Sequence, residues 1–270
     1  MEKLGMKNGC VTINDTDMYY VSFGHGRKNL TVLPGLSDGL ATVKGKALLL
    51  AAPYRRFLNN YTVYMFSRKN KMPEGYTIQQ MADDQAAAMK ILGITKSAVL
   101  GVSQGGMIAQ YLAVDYPEIV EKLILAVTAP YANHVVKDAV GSWIEMAKKG
   151  DHKSLMLDTA ERMYSDTYLE KNRWAFPLTI KLTKPESYER FFRNAYAILD
   201  FDVRDELSKI SCPTFIIAGD DDNTVGNEAP HELNQLISNS KLFIYQGLGH
   251  GAFEEAPDFY KKVYEFCEAK

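Results

Sequence analysis

Three residue types spaced far apart along the 270-residue chain could together perform acyl transfer: a serine between glycines, a run of aspartates and a histidine in a glycine-rich loop. Ser103 lies in Gly101-Val102-Ser103-Gln104-Gly105-Gly106. An apolar run precedes it at 97–100 and a helical pattern follows it at 107–113. In that context G-x-S-x-G reads as a strand, a tight turn and a helix, with the serine hydroxyl pushed out above a helix N-terminus. A serine is a weak nucleophile until a base takes its proton, and imidazole is the side chain suited to do so near neutral pH. His250, in Gly247-Leu248-Gly249-His250-Gly251, stands where the backbone can turn an imidazole back over the strand ends. Asp220, Asp221 and Asp222 follow an apolar run at 214–219. Adjacent aspartates repel one another, so two of the three read as solvated, leaving one to face the histidine. The chain order Ser, Asp, His is the order such a triad takes on an open α/β sheet. The other histidines, His25, His134, His152 and His231, read as a turn residue, two residues of a helical insertion and a helix-surface residue.

The elements that must position these residues read as follows. Segments 10–13 and 18–23 flank the polar turn Asn14-Asp15-Thr16-Asp17 and predict an antiparallel hairpin. The apolar runs 29–33 and 61–66 suit strands covered on both faces, with 43–59 supplying one crossover helix between them. Helical spacing over 78–92 stops at Gly93 and leads into the strand before Ser103. Further strands are expected at 122–128, 214–219 and 241–245, with helices at 229–238 and 254–268. Alternation of strand and helix predicts an α/β fold with a mostly parallel, doubly wound sheet of about eight strands.

That alternation lapses between Ala129 and Cys212, where the chain is charged and carries large apolar residues including Trp143 and Trp174. We read residues 129–206 as an inserted helical cap, and 1–128 with 207–270 as the sheet domain. Such a cap is expected to give an apolar cleft over the sheet that selects a small or medium, uncharged substrate. Trp143 and Trp174 are candidate lining residues.

Composition narrows the classes of partner. With 31 basic and 33 acidic side chains the net charge is −2, without the basic surplus of a nucleic-acid binder. No apolar stretch approaches a membrane span, and the segment Met1–Gly9 lacks the apolar core of a secretory leader. Three widely spaced cysteines, Cys10, Cys212 and Cys267, form neither a disulfide framework nor a zinc pattern. A cytoplasmic protein is the expectation. Its partner is expected to be a small-molecule substrate, with no nucleic acid and no membrane span; nothing in the pattern specifies an oligomer.

The chain resembles the α/β-hydrolase fold family over nearly its whole length, in the form that carries a helical cap after the sixth strand. Residues 101–105 match its nucleophile elbow, Gly219-Asp220-Asp221-Asp222 resembles its G-x-x-D acid motif, and Gly249-His250 its G-H base motif. The resemblance implies Ser103 as nucleophile, His250 as base and Asp222 as the acid that orients it, with Asp221 second and Asp220 third. It also implies an oxyanion loop after the third strand, where this chain has Leu33-Pro34-Gly35-Leu36-Ser37-Asp38-Gly39 without the family's usual histidine. Oxyanion donors are backbone N–H groups, so Leu36 and Gln104 can still supply them. Ser37 and Asp38 can face a substrate there, and an ordinary polar turn accounts for them equally well. No metal or organic cofactor is required.

Serine at position 103 argues against the family's dehalogenase and epoxide-hydrolase branches, which the resemblance would give a carboxylate there. Carboxylesterase leads. Lactonase, thioesterase, C–C bond hydrolase, aminopeptidase and cofactor-free perhydrolase use the same constellation, and a fold does not choose among them. A different class, a protein that only binds or senses a small molecule, has no physical need for serine, aspartate and histidine together.

Overall fold

The computed structural model describes residues 5–269. The first four residues of the segment read above as lacking a leader lie outside them. An eight-stranded sheet runs in the order β1-β2-β4-β3-β5-β6-β7-β8. Its strands are β1 (Lys7–Ile13), β2 (Thr16–Phe23), β3 (Lys28–Leu33), β4 (Tyr61–Phe66), β5 (Ser97–Val102), β6 (Val120–Ala126), β7 (Thr214–Gly219) and β8 (Ser240–Tyr245). β1 and β2 form the expected hairpin, and Asn14 takes the positive φ of 55° that its tight turn requires. From β4 onward every neighbouring pair is parallel, so β3, β5, β7 and β8 present their C-terminal ends on one edge.

Side-chain alternation along the parallel strands divides the interior into two cores. Leu33, Val99, Leu123 and Ile216 pack on one face with helices α2 (Ile78–Ile91) and α3 (Gln104–Asp115). Leu30, Leu100, Ile124 and Ile217 pack on the other with α11 (Phe259–Glu268). Both faces of β5 are therefore buried, which is why its sequence is an unbroken apolar run and not an alternating one. Helix α2 begins at a capping box in which Thr77 and Gln80 satisfy each other's backbone N–H groups.

Two helices differ from expectation, each because a proline removes an N–H donor and crowds the preceding turn. The span 43–59 is not one crossover helix: α1 (Ala47–Leu50) is a single turn followed by the 3-10 segment Ala52–Tyr54, which contains Pro53. The closing span 254–268 is divided at Pro257 into α10 (Ala252–Glu255) and α11.

Between β6 and β7 the chain forms α4 (His134–Lys148), α5 (His152–Met163), α6 (Asp166–Asn172), α7 (Phe176–Thr183) and α8 (Glu189–Leu199). Asn133, Asp151 and Ser165 start α4, α5 and α6 by accepting the N–H groups of Val136, Ser154 and Tyr168. Helix α8 buries Phe191, Asn194, Ala195 and Ile198, the three-and-four spacing of one helical face. The remaining helix, α9 (Ala229–Leu236), connects β7 to β8. Among the described residues no helix is long and apolar enough to cross a membrane, and Cys10, Cys212 and Cys267 are free thiols.

Candidate active site

The turn after β5 holds Ser103 at φ 55° and ψ −120°, a left-handed conformation that costs free energy for a residue with a side chain. The surroundings enforce it. Ser103 N–H donates to Ala126 O at 2.9 Å, and its carbonyl accepts Gly106 N–H and the Thr128 hydroxyl, each at 2.8 Å. Gly105 is required by close approach: a Cβ there would stand 1.9 Å from Leu33 O, inside the end of the neighbouring strand. The same crowding applies at Gly101, where a Cβ would lie 2.4 Å from Gly105 O. Glycine at these two places lets strand, turn and helix close together and aims the serine hydroxyl at the sheet edge.

His250 arrives on the loop after β8. Its Nε2 is 2.9 Å from Ser103 Oγ and its Nδ1 is 2.8 Å from Asp222 Oδ2. The imidazole and carboxylate side chains are only 4% and 1% exposed, so water competes little for either bond. An ionised carboxylate can only accept, so Nδ1 carries the ring proton and Nε2 is left as the acceptor facing the serine hydroxyl. The other oxygen, Asp222 Oδ1, accepts the N–H groups of Thr224 and Val225 at 2.9 Å each. Asn227 Oδ1 takes the N–H of Asp222 itself at 2.8 Å.

The three aspartates part as their mutual repulsion requires. Asp222 turns inward, Asp221 is exposed, and Asp220 accepts Gly247 N–H at 2.6 Å, tying the turn after β7 to the turn after β8. Leu36 opens the 3-10 turn Leu36–Gly39 and Gln104 opens α3. Among the described residues neither of their backbone N–H groups is taken up by a carbonyl or side chain. The turn also lies over the serine, since a Cβ at Gly35 would come within 3.3 Å of Ser103 Cβ.

The remaining candidates are placed elsewhere. Ser37 is exposed at the tip of the turn. Asp38, expected beside it to face a substrate, points inward: its Oδ2 accepts Arg68 N–H at 2.9 Å and Arg190 Nη2 at 2.6 Å. Trp143 is a packing residue of α4, buried with its indole N–H donated to Asp158 at 2.8 Å. Trp174 stands outward, 81% exposed. Neither tryptophan has the setting of a cleft wall, because one is enclosed where α4 meets α5 and the other projects into solvent.

Sequence reading missed a buried polar group behind the turn. Arg68 follows β4 and is 5% exposed, and burial pulls its guanidinium down to about 10. It donates through Nη2 to Gln104 Oε1 at 3.0 Å. The available signal was position: Ser67-Arg68-Lys69 are polar residues immediately past the C-terminal end of a buried parallel strand, where ligand crevices form.

The alpha/beta hydrolase fold family matches residues 64–257. The chain belongs to that family. It is 30% identical over 200 residues to the AB hydrolase superfamily protein YisY of Bacillus subtilis, an alignment covering 70% of this chain and 73% of the relative. It is 24% identical over 217 residues to 3-oxoadipate enol-lactonase 2 of Acinetobacter baylyi, covering 78% of each chain. In fold it is similar to MGS-M2, an alpha/beta hydrolase enzyme from a Medee basin deep-sea metagenome library. That match has a TM-score of 0.87 at 22% identity and covers 97% of this chain and 98% of that one. The chain is therefore an alpha/beta hydrolase.

Proposed function

We propose that this protein is a serine hydrolase that opens a small or medium, uncharged carboxylic ester through an acyl-enzyme. The observation that carries the reading is the unbroken chain from Ser103 Oγ to His250 to Asp222, at 2.9 and 2.8 Å, with a free N–H on either side of the serine. His250 Nε2 takes the hydroxyl proton as Ser103 Oγ bonds to the ester carbonyl carbon, and the carbonyl oxygen becomes an oxyanion received by Leu36 and Gln104 N–H. Asp222 stabilises the imidazolium. The C–O bond to the leaving alcohol then breaks, and His250 returns the proton to it. Water, deprotonated by the same imidazole, attacks the acyl carbon and releases the acid and Ser103.

A lactonase is the second reading, favoured by the similarity to an enol-lactonase. A lactone is a cyclic ester, so the same steps apply and only the leaving group stays tethered. The test is a panel of p-nitrophenyl esters from acetate to octanoate, thioesters and lactones, run beside Ser103→Ala, with a fluorophosphonate probe read by peptide mass. Labelling confined to Ser103 and ester or lactone turnover that disappears in Ser103→Ala are expected. Unlabelled protein with no turnover on any member would leave the non-catalytic binding class in its place.

A further inference from the structure

The two free N–H groups beside Ser103 belong to segments that share one neighbour, helix α8. Arg190 on that helix donates four hydrogen bonds to the loops after β3 and β4. Nε reaches Asp38 O at 3.1 Å, Nη1 reaches Lys69 O at 2.6 Å, and Nη2 reaches Asp38 Oδ2 at 2.6 Å and Arg68 O at 2.8 Å. One turn on, Asn194 O accepts Gln104 Nε2 at 2.8 Å, and Asn194 Nδ2 donates back to Arg190 O at 2.8 Å. The helix is pressed against the Leu36–Gly39 turn so closely that a Cβ at Gly39 would stand 3.0 Å from Phe191 Cα.

We propose that α8 is a positioning element for the oxyanion donors, Arg190 fixing the Leu36 turn and the Asn194 carbonyl fixing Gln104, so that turnover depends on how this helix is seated. The inference rests on the serine-hydrolase reading above. Its physical basis is that oxyanion donors act only when already aimed at the place where charge develops. The Leu36–Gly39 turn has little stiffness of its own: it is one 3-10 turn without a side-chain cap. The inward bonds of Asp38 to Arg190 and to Arg68 N–H therefore set its direction. Gln104 is held by its side chain from both sides, Arg68 on one and α8 on the other. The cluster also holds two guanidinium groups against the single Asp38 carboxylate. That leaves a net positive charge behind the site where the oxyanion would form.

The experiment compares Arg190→Met and Gln104→Met with wild type on the p-nitrophenyl ester that turns over fastest. Gln104→Met keeps the backbone N–H and removes only the side-chain bonds. A trifluoromethyl ketone matched to the acyl group reports affinity for the tetrahedral state. Each variant is expected to lose tenfold or more in kcat with KM within threefold, and to bind the ketone weaker by about the same factor as its loss in kcat/KM. Guanidinium ion is expected to restore part of the kcat of Arg190→Ala. Arg193→Met, on the same helix but bridging Glu74 and Glu189, should stay within threefold of wild type. Should Arg190→Met fail to fold, Gln104→Met decides the matter. The inference is overturned if kcat and ketone affinity stay within threefold in Gln104→Met, or if losses fall on KM and kcat remains. Failure of wild type to label at Ser103 would instead overturn the serine-hydrolase reading, and this inference with it, without involving any α8 variant.

Discussion

Asp222 holds His250 with one carboxylate oxygen and is itself held by two backbone N–H groups at the other, so the imidazole is oriented by a group that cannot rotate. Both side chains are buried, yet they lie 28 positions apart on two different loops. Each loop is anchored to the other by Asp220 and Gly247.

Asp222→Asn should therefore cost more than its small change in shape suggests. An amide can donate to Nδ1, which favours the tautomer that leaves Nε2 protonated and unable to accept the serine proton. A loss of about 10² to 10⁴-fold in kcat is expected, measured at saturating ester. Asp221→Asn, at an exposed side chain, should remain near wild type. The reverse result would place the orienting acid one residue earlier.

The backbone at Ser103 separates function from stability. Ser103→Ala keeps the left-handed strain and removes the hydroxyl, whereas Ser103→Gly removes both, because glycine adopts positive φ without steric cost. Both variants should lose at least about 10³-fold in kcat. Only Ser103→Gly should also melt higher than Ser103→Ala, by about 1 kcal/mol or more of stability. Equal melting curves would show that the turn stores no strain.

Gly105→Ala forces a methyl into the carbonyl of Leu33. The contact is backbone against backbone, with no flexible side chain to move aside. We expect more than about 3 kcal/mol of destabilisation in a denaturant titration, or an insoluble product. A folded variant of wild-type stability would contradict the packing described at the elbow.

His152 is expected to give the packing of α5 against α7 a pH dependence. Burial lowers its proton affinity below the usual 6.5, Nε2 pairs with the Thr183 hydroxyl at 3.1 Å, and the buried Nδ1 has no partner among the described residues. Protonation would place an unpaired N–H and a charge in that site. For a base depressed in the folded state, its contribution is complete above the unfolded value near 6.5 and is lost as pH falls through the folded value. Hydrogen exchange in α5 and α7 should thus accelerate as pH drops from 7 towards 5, after correction for intrinsic rates. His152→Gln should flatten that slope, and an unchanged slope would assign it to another group.

How much of this was legible beforehand depends on the range over which each signal acts. Period-two and three-to-four apolar spacing reports burial residue by residue, so the strands and most helices could be read directly. The two misread helices contain or border Pro53 and Pro257, a local signal outweighed by apolar periodicity. Glycines around Ser103, near Gly219 and beside His250 were visible because a tight turn at a strand end admits few other residues. The direction of a side chain within a turn is different. Asp38 looked as free to face a substrate as Ser37, and its inward turn follows from Arg190, 152 positions away. Trp143 and Trp174 read alike as large apolar residues of an insertion, yet one fills a helix interface and the other meets solvent. By itself the sequence determined the sheet, the elbow and the residue types that could form a triad, with Asp222 ranked first among the three aspartates, because close-packed turns and burial periods are local constraints. Only the tertiary structure brought Asp222 to 2.8 Å from His250 and α8 against the Leu36–Gly39 turn, because those contacts join segments brought together by the packing of the whole sheet.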